Sequence, residues 1–249
     1  MSGHAAAVFQ PLTISWLRHS CCLLDFGGFR VLLNPWLGRG LLAEPAGLAL
    51  EHLPSLDLIL LTGSGHGELH RPTLAALGRR QPALQVAGRA PDRLRDLGLK
   101  PVDLTSGEGR AFGPLTITAH GGDKHVHLEL DWEDSRVAIL APHRLDPPAL
   151  DPVHVALVPC GFGLLPSGGE ALARARAVAA RFLVPLPEGR LPTPPPTFPT
   201  RPGDAAVVSL QPGEQASFTG RGSELYVYGI EALPHSRAER FGRLRRLLG

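Results

Sequence analysis

Residues able to bind a metal ion or move a proton are concentrated between positions 63 and 70. His66, Glu68 and His70 alternate along the chain, so an extended segment would direct all three side chains to one side. Imidazole nitrogens and carboxylate oxygens are ligands that zinc accepts. With His120 from a later loop, His66 and His70 form one candidate metal site. The other interpretation is that all of these are solvated loop residues.

The same stretch is rich in glycine. Gly63, Gly65 and Gly67 let the backbone bend sharply and approach a ligand closely, and a helix that follows would present backbone N–H groups to an anion. A dinucleotide-binding loop reads G-x-G-x-x-G, whereas this loop reads G-x-G-x-G with Glu68 in place of the third glycine. A carboxylate there would repel a pyrophosphate, so the sequence disfavours a dinucleotide site.

The flanking segments predict how this loop is held. Leu58 to Leu61 form a uniformly apolar run, which is typical of a strand covered on both faces. A helix is predicted from about Pro72, because proline is favoured in the first helical turn. Upstream, residues 12–18, 21–26 and 29–33 predict three short strands, of which the last two are joined by Gly27-Gly28.

The run ISWLRHSCCLLDFGGFRVLLNPWLG, residues 14–38, resembles the opening of metallo-β-lactamase-fold hydrolases. It is most similar to the branch with the ascorbate-6-phosphate lactonase-like and N-acylphosphatidylethanolamine phospholipase-like enzymes. Trp16, His19, Ser20 and Pro35 match that branch, while Asn34 stands where aspartate is usual. The order of elements continues to agree over residues 12–218. The resemblance implies the α/β class, a four-layer αββα sandwich, and a single domain over residues 1–249 with a strand and helix extension at 224–249.

In active relatives, an H-x-H-x-D-H motif helps to hold two metal ions, which generate hydroxide from bound water. Here those positions read Gly63, Gly65, Gly67 and Glu68. His120 stands at a position that resembles a later ligand. A catalytic zinc needs about three protein ligands, so we expect no metal, no cofactor and no catalytic residue of the family type.

The main hypothesis is therefore a non-catalytic homologue that keeps the fold and binds a small polar or anionic ligand. The first alternative is a hydrolase of an ester, lactone or phosphodiester, with zinc or another divalent metal on relocated ligands His66, His70 and His120. Whether the chain is an enzyme stays open at this point. The predicted ligand pocket comprises His19, Asn34, Gly63, Ser64, Gly65, His66, Gly67, Glu68, His120 and His143.

The C-terminal segment supports a second alternative, an interaction protein. His235 to Leu248 predicts a helix with Phe241, Leu244 and Leu248 on one face and arginines around them. Such a helix could bind a protein partner, or it could pack on its own domain. Before it, residues 185–202 are rich in proline and predict an extended segment with few sheet hydrogen bonds.

Composition excludes several classes of function. A net charge of +2 over 249 residues gives no argument for nucleic-acid binding. No stretch approaches the roughly 20 apolar residues that a transmembrane helix needs, and the first residues lack the pattern of a signal peptide, so we expect a cytoplasmic protein. Three cysteines form no C-x-x-C pair. Adjacent Cys21 and Cys22 in a strand point to opposite faces, so at least one is predicted to be buried as a small apolar residue, and the alternative is a reactive thiol. The excess of arginine over lysine suggests a GC-rich bacterial source.

Overall fold

Two β-sheets with helices on their outer faces make up the part of the chain that the structure describes. The structure is a computed structural model. It describes residues 11–38, 46–65, 68–89, 92–104, 106–122, 124–141, 146–161, 165–188, 197–220, 224–236 and 239.

The strands in chain order are β1 (Leu12–Arg18), β2 (Cys21–Phe26), β3 (Phe29–Leu33), β4 (Leu58–Leu61), β5 (Gln85–Gly88), β6 (Lys100–Asp103), β7 (Gly109–Phe112), β8 (Leu115–Gly121), β9 (Val126–Trp132), β10 (Ser135–Ile139), β11 (Val155–Gly161), β12 (Phe182–Glu188), β13 (Ala206–Val207), β14 (Glu214–Thr219) and β15 (Tyr226–Ala232). The α-helices are α1 (Arg71–Arg80) and α2 (Gly168–Ala177), and 3₁₀ turns cover Leu50–His52 and Asp92–Leu97.

The strands divide into two sheets. The first sheet has the order β15-β14-β1-β2-β3-β4-β5-β6, and the second has the order β13-β12-β11-β10-β9-β8-β7. Strands β3 to β6 pair in parallel, so their carboxyl ends meet at one edge of the first sheet. In open α/β sheets this edge is where ligands bind.

Three apolar clusters separate the layers. The central cluster lies between the sheets and includes Leu60 of β4 and Leu128 of β9. A second cluster joins Ile59 to Leu74 of α1, and a third joins Ala156 of β11 to α2. The order of layers is therefore helix, sheet, sheet, helix, which confirms the predicted αββα sandwich. Burial of all four residues of β4 explains its uniformly apolar sequence.

Helix α1 begins where the sequence predicted it. His70 is its N-cap, and its side chain accepts a hydrogen bond from the backbone N–H of Thr73. Helix α2 begins after Ser167, which forms a capping box with Glu170. Among the described residues, no helix is long and apolar enough to span a membrane.

The proline-rich segment departs from its prediction at its start. Pro185 and Pro187 belong to β12 and pair in parallel with β11, whereas the sequence predicted few sheet hydrogen bonds there. Strand β13 pairs with β12 at Phe182 and Leu183, so the later half of β12 forms a sheet edge, where proline is tolerated. Residues 189–196 and the predicted terminal helix beyond Ser236, apart from Glu239, lie outside the described residues.

Candidate functional site

The carboxyl ends of β3 and β4 are joined by a buried polar contact. Asn34 follows β3 with a φ of 43°, a conformation that asparagine tolerates better than most residues. Its Nδ2 donates to Oγ1 of Thr62 at 2.9 Å, and its Oδ1 accepts from the Thr62 backbone N–H at 3.0 Å. Both residues are about 1% exposed. The predicted pocket residue Asn34 thus fixes the start of the glycine loop.

The loop between β8 and β9 covers Gly63 from the second sheet. Gly63 forms an isolated antiparallel bridge with His125, and the backbone N–H of Val126 donates to the carbonyl of Thr62 at 2.8 Å. A Cβ atom on Gly63 would lie 2.6 Å from Nδ1 of His125. The imidazole of His125 therefore fills the space into which a side chain at position 63 would extend.

Glu68 occupies the corresponding space beside Gly65. A Cβ atom on Gly65 would lie 2.7 Å from Oε2 of Glu68, and the Glu68 backbone N–H donates to the Gly65 carbonyl at 3.3 Å. Glu68 is 4% exposed, and its Oε1 lies 3.7 Å from Nδ1 of His125. Predicted pocket residue Glu68 and unpredicted His125 thus form a carboxylate–imidazole pair, the Glu68–His125 pair, over the two glycines.

Strand alternation applied to the sequence would place His125 and His127 on one polar face of the same strand. Strand β9 begins at Val126, so the alternation of the strand does not govern the side chain of His125. The run Gly-Gly-Asp-Lys before His125 indicates a turn at this point of the chain. It does not indicate what the turn contacts, because the bridge between His125 and Gly63 joins the two sheets.

His120 lies on the outer face of the second sheet. Its neighbour Ala119 belongs to the cluster between the sheets, so the alternation of β8 turns His120 outward. Its Nε2 lies 3.0 Å from Oε2 of Glu129, and Glu129 also contacts Arg136 at 3.0 Å. His120 therefore has its partners on the outer face of the second sheet. The Glu68–His125 pair lies elsewhere, where the loop before β9 meets the loop after β4.

His127 is a buried structural histidine beside His120. Its Nδ1 accepts from the Ala141 backbone N–H at 3.0 Å, and its Nε2 lies 3.1 Å from the Asp146 carbonyl. Burial, with help from the nearby positive charge of Arg174, lowers the pKa of His127 to about 4. The ring is therefore neutral at pH 7 and joins β9 to the segments on either side of residues 142–145.

The predicted residues His19 and His70 meet around Trp36 instead of around the glycines. The ring of His70 stacks on Trp36 with centroids 5.5 Å apart, and that of His19 lies 4.8 Å from Trp36. Nδ1 of His70 also lies 2.8 Å from Oγ1 of Thr73. Arg18 covers the same indole at 5.4 Å. These contacts anchor the segment after β3 to the first turn of α1.

The described residues do not fit the dinuclear centre that the family resemblance implies for active members. Gly63 and Gly65 carry no donor atom, and the spaces beside them are filled by His125 and Glu68. No group of three or more His, Cys, Asp or Glu residues within the described ranges could hold a metal ion. Of the relocated ligand set, His70 contacts Thr73 of α1, whereas His120 contacts Glu129 of the second sheet. The third member, His66, and the predicted pocket residues Gly67 and His143 lie outside the described residues.

The surroundings of the Glu68–His125 pair are partly exposed and include an arginine. Nδ1 of His125 is buried while the side chain keeps 21% exposure, so the exposed part of the ring lies away from Glu68. Arg89 follows β5, and its Nη2 donates to the Gly122 carbonyl at 2.9 Å. A Cβ atom on Gly122 would meet nothing within 4 Å, so open space adjoins Gly122.

No family model matches the chain. Curated relatives include the cytidine monophosphate-N-acetylneuraminic acid hydroxylases of Cricetulus griseus and Mus musculus, each 34% identical over 85 residues. That match covers 31% of this chain and 15% of each relative, so the chain spans a small part of their length.

Solved structures resemble the chain over most of its length. Igni18, a metallo hydrolase from Ignicoccus hospitalis, has a TM-score of 0.65 at 17% identity, covering 85% of this chain and 100% of that one. YhfI, a metallo-β-lactamase-fold protein from Bacillus subtilis, has a TM-score of 0.61 at 12% identity, covering 84% and 99%. CmlA, a diiron β-hydroxylase from Streptomyces venezuelae, has a TM-score of 0.57 at 13% identity, covering 70% and 44%. The chain has the metallo-β-lactamase fold.

Proposed function

We propose that this chain with the metallo-β-lactamase fold binds a small polar or anionic ligand at the carboxyl end of β4 and is not a dimetal hydrolase. The ligand would lie beside the Glu68–His125 pair, which itself covers Gly63 and Gly65. The finer resemblance to the lactonase-like and phospholipase-like branch, with a degenerate metal motif, is part of this proposal.

One observation carries the proposal. The side chains of His125 and Glu68 lie within 2.6 and 2.7 Å of where Cβ atoms on Gly63 and Gly65 would be. Real Cβ atoms essentially never approach other atoms that closely. Gly63 and Gly65, which the family resemblance aligns with metal-binding histidines, therefore carry no donor atom and are packed against other side chains. This packing supports the proposed loss of the metal motif.

The neighbours of known structure do not argue for one reaction. Igni18 is described as a metallo hydrolase and CmlA as a diiron β-hydroxylase, so one fold carries different chemistry among them. Function must then be argued from the site. In this chain the site offers an imidazole, a carboxylate and backbone groups of a glycine loop, which suit ligand binding.

Metal content and hydrolase activity of the same purified protein test the proposal. The protein would be incubated with zinc or manganese, freed of unbound metal and assayed by elemental analysis. It would then be screened against p-nitrophenyl acetate and bis(p-nitrophenyl) phosphate. We expect well under one metal ion per chain and no hydrolysis above that of a Glu68→Gln variant. Retention of one or two ions per chain, with hydrolysis that a chelator abolishes, would overturn the proposal.

A further inference from the structure

A cavity of about 380 Å³ lies at the end of the sandwich opposite the glycine loop. Asp57, directly before β4, and Gln85, the first residue of β5, line it, whereas Gly63 follows the other end of β4. Phe29 lines the cavity from β3 in the first sheet, and Phe112 lines it from β7 in the second. Both sheets therefore build this cavity, and its volume is in the range of small-molecule sites, roughly 300–1,000 Å³.

Hydrogen bonds and packing hold the walls of the cavity in place. The side-chain amide of Gln81 donates to the Leu56 carbonyl and accepts from the Leu56 backbone N–H, each at 3.0 Å. The ring of Phe29 packs against the turn between β7 and β8, since a Cβ atom on Gly113 would lie 2.5 Å from Cε2 of that ring. Ala83, also in the wall, has a φ of 63°, a conformation that costs free energy in a residue with a side chain. The surrounding contacts thus set the shape of the cavity.

The charge in the cavity is negative. Of the described residues that line it, only Asp57 is charged. Oδ2 of Asp57 accepts from the Arg30 backbone N–H at 2.8 Å, while the Arg30 guanidinium pairs with Asp25 at 2.9 Å. Within the part of the chain that the structure describes, Oδ1 of Asp57 accepts no hydrogen bond and the carboxylate has no ion-pair partner. A cation is therefore the ligand that complements this carboxylate.

Gln85 and Phe29 add further contacts that suit a polar cation. Both side chains are half-buried in the wall. The amide of Gln85 can donate and accept hydrogen bonds, and the face of a phenylalanine ring attracts a cation. Lys100 pairs with Gln85 in the sheet, but it is exposed and is not among the residues that line the cavity.

We propose that this cavity binds a small organic cation, a primary amine that also carries hydroxyl groups. Asp57 accepts the charge-assisted hydrogen bond from the ammonium group, Gln85 binds a hydroxyl group beside it, and Phe29 covers the cation. A metal ion is not the ligand, because Asp57 belongs to no group of three or more His, Cys, Asp or Glu residues that could hold one within the described ranges. The site goes beyond the proposed function, since it lies at the other end of β4 and shares no residue with the Glu68–His125 pair.

NMR titration of the ¹⁵N-labelled full chain with 2-amino-1,3-propanediol, and separately with glycerol, tests the site. The two probes share one carbon skeleton, and at pH 7 an ammonium group in the first replaces the central hydroxyl group of the second. We expect the amine to shift the backbone amide signals of Asp57 and Gln85. It should bind about tenfold tighter than glycerol, because a charge-assisted hydrogen bond replaces a neutral one.

Variants of the two polar wall residues separate charge from shape. Asp57→Asn keeps an oxygen for the Arg30 N–H and removes the charge, so it should bind the two probes equally. Gln85→Lys places a cation in the wall and should weaken amine binding by about tenfold or more. Asp96→Asn is the matched control, because it removes the same charge from an exposed ion pair with Arg71 and should bind as the wild type does. The ¹⁵N spectrum of each variant shows whether it is folded.

Three results would each overturn the inference: a wild type that binds neither probe, an amine that binds no tighter than glycerol, and a preference for the amine that persists in Asp57→Asn. Unchanged amine affinity in folded Gln85→Lys would do the same. None of these results bears on the proposed function, which is tested by metal content and hydrolase activity.

Discussion

Replacement of Gly63 by alanine tests the packing that underlies the proposed function. The new Cβ atom would lie 2.6 Å from Nδ1 of His125, whereas ordinary contact begins at 3.4 Å. The ring must therefore move by about 0.8 Å, the difference between these distances. The backbone does not oppose the change, because Gly63 is not among the glycines with positive φ. Steric conflict with His125 is thus isolated from backbone strain.

The expected loss of stability follows from two opposing effects. Forcing one extra methyl group into a packed site costs about 1–3 kcal/mol, while glycine to alanine stabilises through the unfolded chain by about 0.4–1 kcal/mol. With the middle of each range, about 2 and about 0.7 kcal/mol, the net expectation is a loss of about 1.3 kcal/mol. For a chain of this length, that loss lowers the melting temperature by roughly 3–5 °C.

A double-mutant cycle with His125→Ala identifies the cause. Once the ring is removed, the nearest remaining conflict is the Lys124 carbonyl at 3.1 Å, so Gly63→Ala should then cost less than about 0.5 kcal/mol. Urea denaturation of the four proteins measures the coupling. Gly122→Ala is the control, because its Cβ would meet nothing within 4 Å. A Gly63→Ala variant as stable as wild type, or an equal loss without His125, would refute the reasoning.

Three further predictions concern Gly88, Asn34 and His127. Gly88→Ala should cost about 3 kcal/mol or more by denaturation, because Gly88 has a φ of 110° and its Cβ would lie 2.1 Å from the Leu61 carbonyl; a loss below about 1 kcal/mol contradicts this. Asn34→Ala should lose about 2–4 kcal/mol, since it leaves Thr62 with unsatisfied buried groups; thermal denaturation that matches wild type contradicts it. The low pKa of His127, about 4, should stabilise the fold fully above about pH 6.5 and lose that contribution, up to roughly 3 kcal/mol, as pH falls toward 4. His127→Gln should flatten that part of the stability–pH curve, and an unchanged slope would assign acid sensitivity to other groups.

The site could be located from the sequence in part. The run Leu58 to Leu61, the glycines after it and the helix near Pro72 all appear as predicted, because each depends on local backbone geometry and burial. The alternation of β8 also held information on His120: with Ile117 and Ala119 buried between the sheets, the ring at position 120 had to face outward. The family resemblance predicted His120 in the ligand pocket, whereas strand alternation indicates the outer face, where its partner Glu129 lies.

The sequence determined most of the order of strands and helices and the absence of side chains at positions 63 and 65, because strand and helix periods and residue identity are local properties. The αββα class came from the resemblance to metallo-β-lactamase-fold hydrolases. Tertiary structure decided which side chains fill the space above those glycines. His125 reaches Gly63 through a bridge between two sheets, and Glu68 folds back over Gly65. The first contact depends on how the two sheets pack against each other, and residues more than 60 positions apart in the chain carry no local pattern that records it. The second joins residues only three positions apart, and the backbone conformation around them decides it.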